Sequence, residues 1–118
     1  MIARLMGLAT ISPQELHRLL RERGATAIDV NAPQSWLHAR VPGAMHLDPV
    51  HYSADDLPAD KNALLVFYCS NPWCRKAPNA ARRASTLGYN NVKVMSAGIE
   101  GWLRADLPVE SGTTSSVR

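Results

Sequence analysis

The apolar residues of the chain fall in short runs separated by polar stretches of helical period. The run Ala63 to Tyr68 (ALLVFY) is continuously apolar and rich in β-formers, which predicts a strand covered on both faces in the middle of a parallel sheet. TAIDV (26–30) and NVKVM (91–95) read as shorter strands, and MHLDP (45–49) as one more. Between them, ISPQELHRLLRERG (11–24) carries the marks of a helix. Ser12 can cap its N-terminus, Pro13 suits the first helical position, Glu15 stands where a capping-box acid belongs, and Gly24 can end it, with Leu16, Leu19 and Leu20 on one face. PNAARRASTLG predicts a helix from Pro78 to Gly88. AGIEGWLRADLP predicts a glycine-led turn and a short helix bearing Trp102, and APQSWLHARVPGA a turn, one helical turn and a loop closed by Pro42 and Gly43. Strands therefore alternate with helices, the pattern of an α/β domain with a mainly parallel central sheet and helices on both faces.

Length and composition narrow this picture. The 118 residues, 46% of them hydrophobic, suffice for one domain with its own core. Neither a repeat nor a linker divides the chain, so we expect a single domain over 1–110 and a disordered tail over 111–118 (SGTTSSVR). No apolar run approaches the roughly 18 to 20 residues of a membrane helix, and MIARLMGLATIS is too short in its apolar part for a leader, so a cytoplasmic protein without membrane contact is expected. The formal net charge of +3 is scattered, with only RLLRER and the CRK and ARR segments locally basic. A nucleic-acid partner, which asks for a continuous basic stripe with interleaved aromatics, is not expected.

Both cysteines, Cys69 and Cys74, lie in one loop. That is not how a disulfide framework staples a small fold, and a cytosolic chain keeps its thiols reduced, so chemistry is the stronger suspicion. A cysteine ending an apolar strand is, taken alone, often a small buried hydrophobe. Cys69 differs in its company: a strand end before it, a helix start after it, the cations Arg75 and Lys76, and a second thiol. Reactive sites of open α/β sheets gather at the carboxyl ends of strands, and a helix N-terminus there offers free N–H groups and partial positive charge. Together these favour the thiolate, which is the nucleophile. For Cys74 a spectator and a redox role stand equal. His38, His46 and His51 match no zinc template, so no metal and no cofactor is expected. Trp36 and Trp102 read as core, and Trp73 as either a wall of the pocket or packing under a neighbouring loop. Asp29 reads as a hydrogen-bonding support for the turn into Asn31.

AIDVNAPQSWLHARVPGAMHLDP and LGYNNVKVMSAGIEGWLRADLPV resemble the two signatures of the rhodanese-like, single-domain sulfurtransferase family, and the match runs from about Ile11 to Val109. The resemblance implies the rhodanese-like α/β fold. It also implies an enzyme in which Cys69 attacks the outer sulfur of a small anionic or persulfide donor and holds a persulfide. A thiol or cyanide then removes the terminal sulfur, the two-step logic of covalent catalysis. On the same resemblance the loop residues Ser70, Asn71, Trp73, Cys74, Arg75 and Lys76 would bind the substrate, with Arg75 or Lys76 holding an anionic donor. Asp29 and Arg40 would be supporting residues, and a sulfur-relay protein is a possible partner. The loop is two residues longer than the common one and resembles a bacterial variant reading Cys-x-x-Pro-x-Cys. Asn31 stands where the family often has arginine, and Arg40 where it often has histidine.

Two other readings compete. Cys69 to Arg75 spells Cys-x5-Arg, the spacing with which phosphatases and some arsenate reductases surround an oxyanion, and an arginine fork suits such a group. Alternatively, Cys69 and Cys74 could close a disulfide, provided that the loop curls, in a redox or persulfide-binding module without fast turnover.

Overall fold

The computed structural model describes residues 2–113. In chain order the elements are α1 (Ile2–Leu5), α2 (Pro13–Arg21), β1 (Thr26–Asp29), α3 (Pro33–His38), β2 (Met45–His46), a 3-10 turn at Ala54–Asp56, β3 (Leu65–Tyr68), α4 (Lys76–Thr86), β4 (Val92–Val94) and α5 (Gly98–Arg104). The four strands form one sheet in the order β2-β1-β3-β4. Every pairing in it is parallel. The chain moves outward from β1 to β2, then returns across β1 to β3. The order thus reverses between β1 and β3, and the crevice at their carboxyl ends is where open α/β sheets place ligands.

Period-two alternation sorts the strand side chains onto two cores. Leu65, Phe67 and Cys69 join a cluster with Ile28, Val30, Val94 and the alanines of α4. Val66 and Tyr68 join the opposite cluster with Leu16, Met95, Ile99 and Trp102. All four residues of β3 are buried, as the unbroken apolar run predicts. Each large side chain removed from water in this way stabilises the fold by about 1.5–3 kcal/mol. The buried face of α4 consists of Ala77, Pro78, Ala80, Ala81 and Ala84, small residues that let a helix backbone approach the sheet closely.

Several local expectations are corrected. α4 starts at Lys76, two residues before Pro78, which fills a position whose missing N–H would have no intrahelical partner. In α2 the Ser12 hydroxyl accepts from the Glu15 N–H at 3.1 Å. The Glu15 carboxylate, however, does not return to the cap: it pairs with Arg18, which holds it below the usual carboxylate range. The reciprocal capping box is found instead at Ser53 and Asp56. Helix α1 was not anticipated, because four residues carry no legible period; it forms where Ala3 packs into the core.

Arg40 is almost wholly buried. Its guanidinium lies over the Trp36 ring at 4.4 Å, and its Nη1 donates at 2.9 Å to both the Trp36 and Gly112 carbonyls. Arg40 and Glu110 also exchange backbone hydrogen bonds of 2.9 Å, and the Gly112 N–H donates to the Leu37 carbonyl at 2.8 Å. The start of the segment expected to be a tail from residue 111 is therefore tied to α3. Residues 114–118 of that segment lie outside the described residues. No helix among the described residues is long and apolar enough to cross a membrane.

Candidate functional site

Because Cys69 follows Phe67 at the strand period, its side chain falls on the α4 face, directly below the start of that helix. The Ala77 N–H of the first turn of α4 points at its sulfur, with N···Sγ 3.4 Å. Cys69 is only 3% exposed. Ala3, Pro72, Cys74, Met95 and Ser96 surround it, enclosing a cavity of about 10 Å³, room for about one water. The Ile2 N–H donates to the Pro72 carbonyl at 3.2 Å, so α1 is fastened over the loop.

The loop from Ser70 to Arg75 is anchored from beneath by α5. The Ile99 and Glu100 amides donate to the Cys69 and Ser70 carbonyls at 2.9 and 3.1 Å. Above this anchor Asn71 curls the chain. Its Oδ1 accepts from the Trp73 N–H at 3.0 Å, its carbonyl accepts from the Cys74 N–H at 3.2 Å, and its Nδ2 donates to Glu100 Oε2 at 3.4 Å. This curl is what a disulfide requires, and Cys69 and Cys74 are joined, their Cα atoms 6.5 Å apart. Two thiols expected to be reduced thus form a bonded pair. The Trp73 and Cys74 amides both donate to Asn71 and not to the sulfur.

The strand beside the loop supplies a polar network. Asp29 Oδ1 accepts from the Asn31 N–H at 2.8 Å. Asn31 Oδ1 accepts from Ser70 Oγ at 2.9 Å. His46 Nε2 donates to the Asn31 carbonyl at 2.8 Å, its ring stacked on Trp36 with centroids 4.5 Å apart. Asp29 is fully buried, and burial pushes its carboxyl up, against the opposing effects of the Tyr68 hydroxyl and the Asn31 N–H. Burial and the neighbouring carboxyl together push the Tyr68 phenol well above its ordinary range, while its oxygen accepts from the Val41 N–H at 3.0 Å.

The remaining site residues separate. Lys76 lies with His46, Asp48, His51 and Asn31 along an open cleft of about 450 Å³ at the ends of β1 and β2. Arg75 lies on the other side, with Ile2, Leu5, Met6, Asn79 and Arg82. Trp73 stands out in solvent, 69% exposed, and lines neither cavity. Arg40 belongs to the clamp on the C-terminal segment and not to the loop. Among the described residues no cluster of three or more His, Cys, Asp or Glu side chains could hold a metal ion. Two contributors were not singled out from the sequence. His46 figured there only among scattered histidines, and Gly98 only as the head of a turn. The Gly-Ile-x-x-Trp segment was the available signal for Gly98.

A parallel sheet with a cysteine at its central strand end, cradled between two helix starts, is the arrangement of rhodanese-like domains. A family model for the rhodanese-like domain matches residues 12–105, and the chain belongs to that family. Among its relatives, the thiosulfate sulfurtransferase GlpE of Pseudomonas fluorescens is 31% identical over 99 residues, 84% of this chain and 88% of that protein. The thiosulfate sulfurtransferase GlpE of Ectopseudomonas mendocina is 33% identical over 107 residues, 89% of this chain and 93% of the relative. The crystal structure of the BH2092 protein from Bacillus halodurans superposes with a TM-score of 0.80 at 22% identity, covering 92% of this chain and 80% of that one. It shares the fold.

Proposed function

We propose that this domain is a sulfurtransferase in which Cys69 takes sulfane sulfur from a small anionic or persulfide donor, holds it as a persulfide and yields it to a thiol or cyanide acceptor. The observation that carries this reading is the placement of Cys69. It stands at the carboxyl end of the central strand, at the reversal of strand order, with the Ala77 amide on its sulfur. An amide and a helix start beside the sulfur favour the thiolate both for attack and for departure. Kinship with proteins named thiosulfate sulfurtransferases supports the same chemistry. The acceptor side fits a small thiol or a sulfur-relay protein, in a reducing compartment such as the cytoplasm where thiols persist.

The Cys-x5-Arg reading draws less support. Arg75 lies in the groove beside α1 and not at the Cys69 cavity, and the Trp73 and Cys74 amides are occupied by Asn71. Initial rates of the reduced protein with thiosulfate, 3-mercaptopyruvate, glutathione persulfide and a phosphate ester decide between the two. A sulfane donor should be the fastest substrate, and C69S should abolish its turnover while keeping the fold. Full transfer by C69S, or a preference for the phosphate ester, would overturn the assignment.

A further inference from the structure

Sulfur transfer through Cys69 needs one thiol, yet the loop delivers a second to the same sulfur. The Cα separation of 6.5 Å falls inside the roughly 4.4–6.8 Å range of ordinary disulfides. The Asn71 hydrogen bonds that curl the loop are made in this joined form. Access to the two sulfurs is unequal: Cys69 is buried, whereas Cys74 is half-buried and sits beside the exposed Trp73.

We infer that Cys74 is a resolving thiol for the Cys69 persulfide, so that the domain also reduces sulfane sulfur to sulfide at the expense of a dithiol. The inference rests on the sulfur-transfer reading above. With thiosulfate as donor, the Cys69 thiolate attacks the outer sulfur, the S–S bond of the donor breaks, and sulfite leaves with the bonding pair. The Cys74 thiol then gives up its proton and attacks Cys69 Sγ. The Cys69–Cys74 bond forms, the persulfide S–S bond breaks, and the terminal sulfur departs as hydrosulfide. Both cysteines are oxidised by one electron each, and the departing sulfur is reduced by two.

The joined form is closed to a further donor, since the cavity at Cys69 has room for about one water and α1 is fastened over it. A dithiol, small or on a thioredoxin-like protein, re-opens it by attacking the sulfur of Cys74, the less buried residue of the pair. Cys69 then leaves as the thiolate onto which the Ala77 amide points at 3.4 Å. Over the cycle thiosulfate and a dithiol become sulfite, hydrosulfide, a proton and a cyclic disulfide. In the absence of Cys74 the same persulfide waits for an external acceptor and the product remains sulfane sulfur.

The test loads the fully reduced wild-type chain with thiosulfate after removal of reductant, and reads intact mass and released sulfide. Wild type should release about one sulfide per chain and end about 2 mass units lighter than the reduced protein, whereas C74S and C74A should stop about 32 mass units heavier and release none. With a dithiol present, wild type should produce sulfide continuously and C74S at a rate at least several-fold lower. Wild type retaining the added sulfur, or C74S releasing sulfide as fast as wild type, overturns the inference and leaves the transfer reading in place. If neither C74S nor C74A gains the added sulfur although circular dichroism shows them folded, sulfur transfer at Cys69 itself is refuted and the inference goes with it.

Discussion

Gly98 lies so close beneath Ser70 that a β-carbon on it would fall inside contact distance of the Ser70 carbonyl and 2.6 Å from the Asn71 nitrogen. Its φ of +70° is also one that L side chains rarely adopt. Only a bare α-carbon lets the start of α5 reach the Cys69 and Ser70 carbonyls. Gly98→Ala should therefore displace the loop even though it adds a single methyl group. A shift of about 1 Å at a reacting group costs up to about a hundredfold in rate, so we expect kcat/KM with a sulfane donor to fall by about tenfold or more. The backbone strain should lower stability by about 1–3 kcal/mol. Steady-state kinetics and urea unfolding check both, and an alanine variant with wild-type turnover would remove Gly98 from its positioning role.

Lys76 and Arg75 are adjacent in sequence but face different surroundings, Lys76 the open cleft beside Asn31 and Arg75 the groove beside α1. If anionic donors arrive through the cleft, Lys76→Glu should raise the KM for thiosulfate several-fold, with a smaller change in kcat, and the effect should shrink as salt is added. Arg75→Glu should leave KM within about twofold of wild type. Equal effects of the two reversals would mean that the field of the whole loop, and not the cleft, steers the donor.

Asp29 makes stability depend on pH in an unusual direction for a carboxylate. Burial raises its carboxyl in the folded protein, so the fold binds this proton more tightly than the unfolded chain does. The associated stabilisation is complete below the unfolded value of about 3.9. It is lost as pH rises from there through the higher folded value, and stays lost above it. Asp29→Asn keeps an oxygen for the Asn31 N–H and cannot ionise. Its stability relative to wild type should improve as pH rises from about 4 toward neutrality, as measured by urea unfolding of both proteins across that span. Parallel curves would show that Asp29 does not carry this dependence.

The sequence by itself determined most of the elements and the place of the candidate thiol. An unbroken apolar run can satisfy its side chains only with cover on both faces, so β3 was legible as the central strand and Cys69 as the residue at its end. The alternation of strands and helices then set the α/β class. Tertiary structure decided what surrounds that thiol, because those contacts join segments far apart in the chain and leave no local periodicity. Asn31 reaches Ser70, Gly98 underlies the loop, α1 closes over Pro72, and Arg40 clamps Gly112. The partition of Arg75 and Lys76 depended on where α4 begins, and Pro78 alone did not mark that point. The pairing of Cys69 with Cys74 required the curl that Asn71 imposes from within the loop, and spacing could only leave it open.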